Sequence, residues 1–365
     1  MQQSRVYFPV RLEFGPGRLN DLATLWSPSW QKILLVSDSG VAQHTTVLDQ
    51  IRQQLTDYRL IEFLEIEENP SFATIERGAQ LARQERCDCV LAVGGGSPMD
   101  AGKGIALVAP GDVQLSAFLA GHPVNHELLP VVCIPTTAGT GSEATPYAVF
   151  TDTANQNKCG YGHDRLYPAL SIVDPLCTHS MPVGLTCHTG LDVLAHAAES
   201  LLCMQRSPFS DSVAAKALEM VVAYLPKACQ GEPEARAAMS YAAMLAGVAI
   251  AHAGTILPHI MGYPLTVFHG VPHGLASAIL LPRVLDYLRR YGNASERVDI
   301  VERFFASAGG INAFFATLGV STKLADYGVT ADELPLFAQK VIVKGDIAVT
   351  PAPITENDLI ALYHD

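Results

Sequence analysis

An apolar run, Cys87–Val93, passes without interruption into Gly94-Gly95-Gly96-Ser97-Pro98-Met99-Asp100 and then into residues with helical spacing through about Val108. A short, wholly apolar segment that ends in glycines and opens a helix reads as a buried parallel strand turning into its crossover helix. Such a strand cannot stand alone, because it must pair on both edges and be covered on both faces. The flanking sequence supplies the partners. Lys32–Asp38, Arg59–Ile66 and Val131–Ile134 are further strand segments, Val47–Leu55 has helical periodicity, and a helix from Asn69-Pro70-Ser71 to about Glu85 takes Ser71 as its N-cap. The alternation predicts an open, mostly parallel sheet covered by helices.

From about Val183 the strand signal nearly vanishes. Gly190–Leu202, Ser210–Tyr224, Glu234–Ala251 and Pro272–Tyr291 are rich in Ala, Leu and Met at helical spacing. With 365 residues, 49% of them hydrophobic, the chain is long enough for two cores. The expected organisation is an α/β nucleotide-binding domain over 1–182 followed by an all-α domain over 183–365. A formal net charge of -12 excludes a basic nucleic-acid surface. No apolar stretch is long enough to span a bilayer, and the N-terminal residues lack the basic start and apolar run of a signal peptide. Eight cysteines without a CxxC pair read as reduced, mostly buried thiols, which suits the cytoplasm.

The glycine loop has the features of a phosphate site. Three glycines let a ligand approach the backbone, and amides at a helix N-terminus attract an anion. Ser97 fits the N-cap, Pro98 the first helical position and Asp100 the capping-box position. The loop is not the usual GxGxxG fingerprint and does not follow the first strand, so a standard Rossmann order is not expected. Asp38, ending its strand, either accepts from a ribose hydroxyl and disfavours a 2′-phosphate, which selects NAD over NADP, or is a solvated loop carboxylate. Pro135–Glu143 (PTTAGTGSE) is a second loop dense in hydroxyls and glycines after a strand.

In the helical half, Asp192 and His196 are four residues apart and share one helix face. His259 and His273 follow in later helical segments. One carboxylate with three imidazoles suits Fe2+ or Zn2+. Spacing alone favours an ordinary helix-face pair, since twelve histidines offer many such coincidences. His252 and His269 compete for the same role, with His269 able to line the site.

At these residues the chain resembles the iron-containing (group III) alcohol dehydrogenases. The resemblance runs through Phe14–Gly17, Glu68–Pro70, Gly94–Lys103, Pro135–Glu143, Thr189–Glu199, Val271–Pro282 and Pro353–Glu356, nearly the whole chain. It implies the dehydroquinate synthase-like fold, with one divalent metal, iron or alternatively zinc, held by Asp192, His196, His259 and His273. It implies NAD, or alternatively NADP, contacted by Asp38, Asn69, Gly95, Gly96, Ser97, Thr136, Thr137, Thr140, Tyr147 and Lys158, with Asp100 shaping the glycine loop. It also implies hydride transfer between a small alcohol or aldehyde and the nicotinamide, and a homodimer or larger homo-oligomer. Many members carry a further histidine four residues after the third ligand, where this chain has Tyr263. The proton route could therefore use Tyr263, a ribose hydroxyl or His269. Three rival readings are a lyase like dehydroquinate synthase, a reductase like maleylacetate reductase, and a nucleotide-binding sensor. The first needs basic residues around the metal, the second lacks the complete ligand set, and an intact set argues against the third.

Overall fold

Six short strands, β1 (Arg11–Phe14), β2 (Lys32–Val36), β3 (Arg59–Phe63), β4 (Cys89–Gly94), β5 (Val131–Pro135) and β8 (Leu170–Val173), form one sheet. Their order is β1-β8-β5-β4-β2-β3 and every pairing is parallel. Side chains alternate between two cores. Leu34, Val36, Val90 and Ala92 pack on one face, and Ile33, Leu35, Cys89, Leu91 and Val93 on the other. Covering both faces is what makes these strands read as unbroken apolar runs. A separate antiparallel hairpin joins β6 (Tyr147–Asp152) and β7 (Asn157–Gly162).

This computed structural model describes residues 4–364. They divide into two units: Phe8–Met181, and the chain from Pro182 onward, to which the residues up to Tyr7 also belong. Among the described residues, every strand lies in the first unit. The anticipated strands are present with their ends moved by one to three residues. Four strands were not anticipated. β1 and β8 have only four residues each, too few for a periodicity to emerge. The hairpin carries Thr151, Asp152, Asn157 and Lys158 in place of an apolar run.

The glycine loop lies at the carboxyl end of β4, whose neighbours are β5 and β2. The helix Gly96–Val108 follows it and packs hard on the sheet, since a Cβ on Gly102 would come within 2.7 Å of the Ala92 Cβ. The expected cap is corrected here. The helix begins two residues earlier than predicted, with Gly95 at the N-cap and no side-chain cap bond. Ser97 and Asp100 are turned to other partners, described below, because distant backbone groups compete for them.

The second unit is built from helices, among them Val183–Leu202, Pro208–Cys229, Pro233–Ala253, Leu257–His269, His273–Ala278 and Leu281–Tyr291. The single helix expected over Pro272–Tyr291 is broken at Ile279-Leu280. Pro282, in the first turn of the following helix, has no N–H to continue the ladder across the break. No single described helix is long and apolar enough to cross a membrane. Pro233–Ala253 and Leu257–His269 pass that test only together, bent by 113°.

Candidate metal centre and nucleotide site

In the helix Val183–Leu202, Asp192, His196 and Glu199 fall at i, i+4 and i+7, on one face. All three are buried. Two other helices bring imidazoles to this face, His259 in the first turn of Leu257–His269 and His273 at the start of His273–Ala278. Close approach is needed and glycine permits it. A Cβ on Gly274 would sit 2.4 Å from the His188 carbonyl oxygen and 2.5 Å from the Asp192 Cβ.

Asp192, His196 and His259 bring ligand atoms within 4.8 Å of one another, and His273 approaches two of them. His259 Nε2 lies 3.2 Å from His196 Nε2 and 3.1 Å from His273 Nε2. Asp192 Oδ1 is 3.9 Å from His196 Nε2 and 4.0 Å from the Nε2 of both His259 and His273. An ion bonded at about 2.0–2.1 Å spaces tetrahedral ligand atoms by roughly 3.3 Å, close to the two imidazole separations and shorter than the three to Asp192. The polar groups themselves call for a cation. Asp192 Oδ1 and His196 Nδ1 are buried with no hydrogen-bond partner, and a carboxylate oxygen left so costs more than a neutral group. The donor set fits a divalent transition metal.

Glu199 completes the centre. Its Oε1 accepts from His259 Nδ1 at 3.0 Å and its Oε2 from the Ile256 N–H at 2.8 Å. With a proton held at Nδ1, the His259 Nε2 presents a lone pair to the cluster. Burial lowers the His196 imidazole to about 4, which keeps it neutral and able to ligate. At His259 burial also opposes the charged form, but the charge and hydrogen bond of Glu199 outweigh it and raise the imidazole. Glu199 was within reach of sequence reading, because it extends the Asp192–His196 stripe by one more turn.

His269 does not join this cluster. Its Nε2 pairs with Glu333 Oε1 at 3.0 Å and its ring meets Phe337 edge-on. His252 turns its Nδ1 to the Val248 carbonyl. The Tyr263 ring stands 5.8 Å from the His273 ring, with Lys344 Nζ 5.7 Å from its centroid.

In the other unit, the residues expected to meet a dinucleotide gather at the carboxyl ends of β2, β4 and β5 and on the hairpin. A Cβ on Gly95 would reach Thr137 at 3.3 Å and one on Gly96 would reach Thr140 at 2.6 Å, so the two loops touch because glycines stand there. Thr136 donates its N–H to the Gly94 carbonyl at 2.9 Å. Asp38 caps the helix Ser39–His44 through Oδ1, and its Oδ2 lies beside Gly94. Asn69, in the left-handed region at φ 58°, donates its N–H to Ser97 Oγ, while its Oδ1 accepts from Lys158 Nζ at 2.8 Å. The Tyr147 ring packs on Gly162. The uncapped amides of Gly96–Val108 and the glycine cradle, which any Cβ would fill, fit a pyrophosphate.

Behind the loop is a lysine with no exposure at all. Lys103 Nζ donates to the Ser142, Thr145 and Tyr147 carbonyls and to the Ser142 and Thr145 hydroxyls, at 2.6–3.2 Å. Asp100 accepts from Ser142 Oγ and from the Val149 N–H, both at 2.8 Å. Burial lowers the Lys103 ammonium and raises the Asp100 carboxyl, and the attraction between them opposes both shifts. Sequence reading missed Lys103, since one lysine in an apolar helix carries no sign of its partners.

The family model for iron-containing alcohol dehydrogenase matches residues 9–175, and that for the C-terminal part of the Fe-containing alcohol dehydrogenase family matches 186–365. A 1,3-propanediol dehydrogenase of Citrobacter freundii is 31% identical, over 91% of this chain and 90% of its own length. A crystal structure of an iron-containing alcohol dehydrogenase from Thermotoga maritima superposes with a TM-score of 0.89 at 34% identity, covering 99% of this chain and 98% of that one. A sulfoacetaldehyde reductase from Bifidobacterium kashiwanohense, solved in complex with NAD+, superposes with a TM-score of 0.90 at 28% identity, covering 100% and 98%.

Proposed function

This chain belongs to the iron-containing alcohol dehydrogenase family and is an oxidoreductase that passes a hydride between an alcohol or aldehyde and a nicotinamide cofactor, and we propose that Asp192, His196, His259 and His273 hold its metal. The observation that carries this assignment is the convergence of three Nε2 atoms around Asp192 Oδ1, a buried carboxylate oxygen with no hydrogen-bond partner. The matches lend no support to a lyase like dehydroquinate synthase or to a reductase like maleylacetate reductase.

The ion supplies Lewis acidity toward the substrate oxygen, and the nicotinamide supplies hydride exchange. The remaining roles fall to the chain itself. Glu199 keeps the His259 proton at Nδ1. The glycine loop, the uncapped amides of Gly96–Val108 and the Thr136–Thr140 hydroxyls receive the pyrophosphate. Asp38 accepts from a ribose hydroxyl and repels a 2′-phosphate, which favours NAD over NADP. Ser97, Asn69, Lys158 and Tyr147 line the cofactor, while Asp100 and Lys103 act behind them as positioning residues. Tyr263 is better placed than His269 to move the hydroxyl proton, because the His269 imidazole is committed to Glu333. A homodimer or larger homo-oligomer in the cytoplasm belongs to the same reading, and light scattering on the purified enzyme checks the assembly.

The deciding experiment is anaerobic purification with elemental analysis, followed by oxidation of NADH and NADPH over a panel of small aldehydes. Near-stoichiometric iron or zinc with NADH-dependent turnover, both lost in Asp192→Asn, is the expected result. Full activity and metal content in that variant would remove Asp192 from the ligand set.

A further inference from the structure

We infer that Asp346 is a positioning residue for the metal centre. Through Thr255 it anchors the start of the helix that carries His259, and its turn ties that start to the end of the helix that carries Asp192 and His196. The inference rests on the proposed ligand set and deepens it.

His259 enters the site from a helix end that cannot support itself. Only Gly254-Thr255-Ile256 separate Pro233–Ala253 from Leu257–His269, and the two helices bend by 113° across them. Gly254 makes the bend at φ 84°, a region that favours glycine. Ile256 then stands at the N-cap, and its side chain has no oxygen with which to cap. The free amides of such a helix start need partners from elsewhere. Two carboxylates from outside the link hold it. Glu199 accepts from the Ile256 N–H at 2.8 Å, and Asp346 Oδ1 accepts from the Thr255 hydroxyl at 2.9 Å. Glu199 also holds the His259 ring. A shift at Thr255 therefore reaches the imidazole by two routes, through Ile256 to Glu199 and along the backbone to His259.

Asp346 is itself fixed. It lies in the tight turn Gly345–Val349, and its carbonyl accepts from both the N–H and the hydroxyl of the buried Thr350, at 3.1 and 2.8 Å. The same turn grips the other ligand-bearing helix. The Val349 carbonyl accepts from the Met204 N–H at 3.0 Å, two residues past the end of Val183–Leu202. A third contact falls one turn beyond His259, where Lys344 Nζ stands 5.7 Å from the centroid of the Tyr263 ring. Residues 344–349 thus meet the His259 helix on both sides of its ligand and the Asp192 helix just past its end. A turn closed by its own hydrogen bonds is stiff, so the span from Asp346 Oδ1 to the Val349 carbonyl sets the spacing of the two helices. Ligand atoms must be held within about 0.5 Å of their productive positions, which makes that spacing matter to the metal.

The test pairs Thr255→Val, which keeps the shape and removes the hydroxyl, with Thr255→Ser, which keeps the hydroxyl. It also pairs Asp346→Ala with Asp346→Asn, which retains an acceptor oxygen. Full-length protein is stripped of metal and loaded with Co2+, whose visible absorption reports the geometry of its ligands. Competition with a chelator reads the affinity, and wild type and Asp192→Asn are measured alongside. Thr255→Val and Asp346→Ala should lower Co2+ affinity about tenfold and shift the absorption bands, while Thr255→Ser and Asp346→Asn stay within about twofold of wild type. Circular dichroism confirms folding, and if Asp346→Ala does not fold, Thr255→Val decides alone. A role confined to stability would lower the melting temperature of the metal-free protein and leave affinity and bands unchanged. That outcome in Thr255→Val would overturn the inference, as would equal losses in Thr255→Val and Thr255→Ser. Co2+ binding that Asp192→Asn leaves intact would overturn the ligand set itself, and the inference with it, so the two failures are told apart.

Discussion

Two buried charged groups, one in each unit, show opposite ways of treating polarity in a protein interior. Lys103 is surrounded by five oxygen acceptors and faces Asp100, so every proton of its ammonium has a partner supplied by the chain. Asp192 is equally hidden, yet one of its carboxylate oxygens has no hydrogen-bond donor and three imidazole nitrogens surround it. A saturated group forms part of the frame, because nothing remains for it to bind. An unsaturated one is a site, because the fold has accepted a desolvation cost that only an outside partner offsets.

The comparison breaks most readily at Asp192. Asp192→Asn should abolish turnover and lower metal affinity by more than about 100-fold, the upper range for losing a supporting residue. Stability without metal should stay level or rise, since an unpartnered buried charge is gone. Metal titration and chemical denaturation of the metal-free variant read the two effects. Lys103→Met should do the reverse. It leaves five acceptors and Asp100 without their cation, costing about 3–5 kcal/mol of stability and raising the KM for NADH, with metal content unchanged. If Lys103→Met instead lost metal and kept its cofactor affinity, the division between frame and site would fail.

Glu199→Gln sharpens the metal side. The amide keeps the shape of the carboxylate but not its charge, so metal affinity should fall about 10–100-fold with the fold intact. Competition with a chelator measures this. Glu143, in the cofactor unit, tests whether the frame tolerates a poorly solvated charge. Burial pushes its carboxyl from the ordinary 4.5 up to about 7. The folded protein therefore holds a proton that the unfolded chain releases between those two values. Stability is fully present below the lower value and falls as pH rises through the window, by up to about 1.4 kcal/mol per unit. Glu143→Gln should flatten this dependence, as seen by comparing denaturation curves at pH 5 and pH 8.

Much of the nucleotide half was legible in the chain. A run such as Cys87–Val93 followed by three glycines specifies strand, turn and helix through local sterics, and Ser71 caps its helix as predicted, accepting from the Thr74 N–H. The hydroxyls were less legible. Ser97 has the composition of a cap, but its Oγ accepts from the Asn69 N–H. Asp100 was read as part of a capping box, but it binds Ser142 and Val149. Short polar side chains have several partners of similar energy, and the choice depends on what the rest of the fold brings near.

The sequence by itself determined the change from strand-and-helix to helix alone, the position of the glycine loop, and the helix face shared by Asp192, His196 and Glu199. These are consequences of spacing within a few turns, where the backbone period dictates direction. Tertiary structure alone decided that His259 and His273 approach that face while His269 turns to Glu333, and that Lys103 is wholly enclosed. Each of those outcomes depends on how closely two helices or loops approach. That distance is set by whether a glycine such as Gly274 stands at the contact, and by which distant groups need a hydrogen-bond partner once water is excluded.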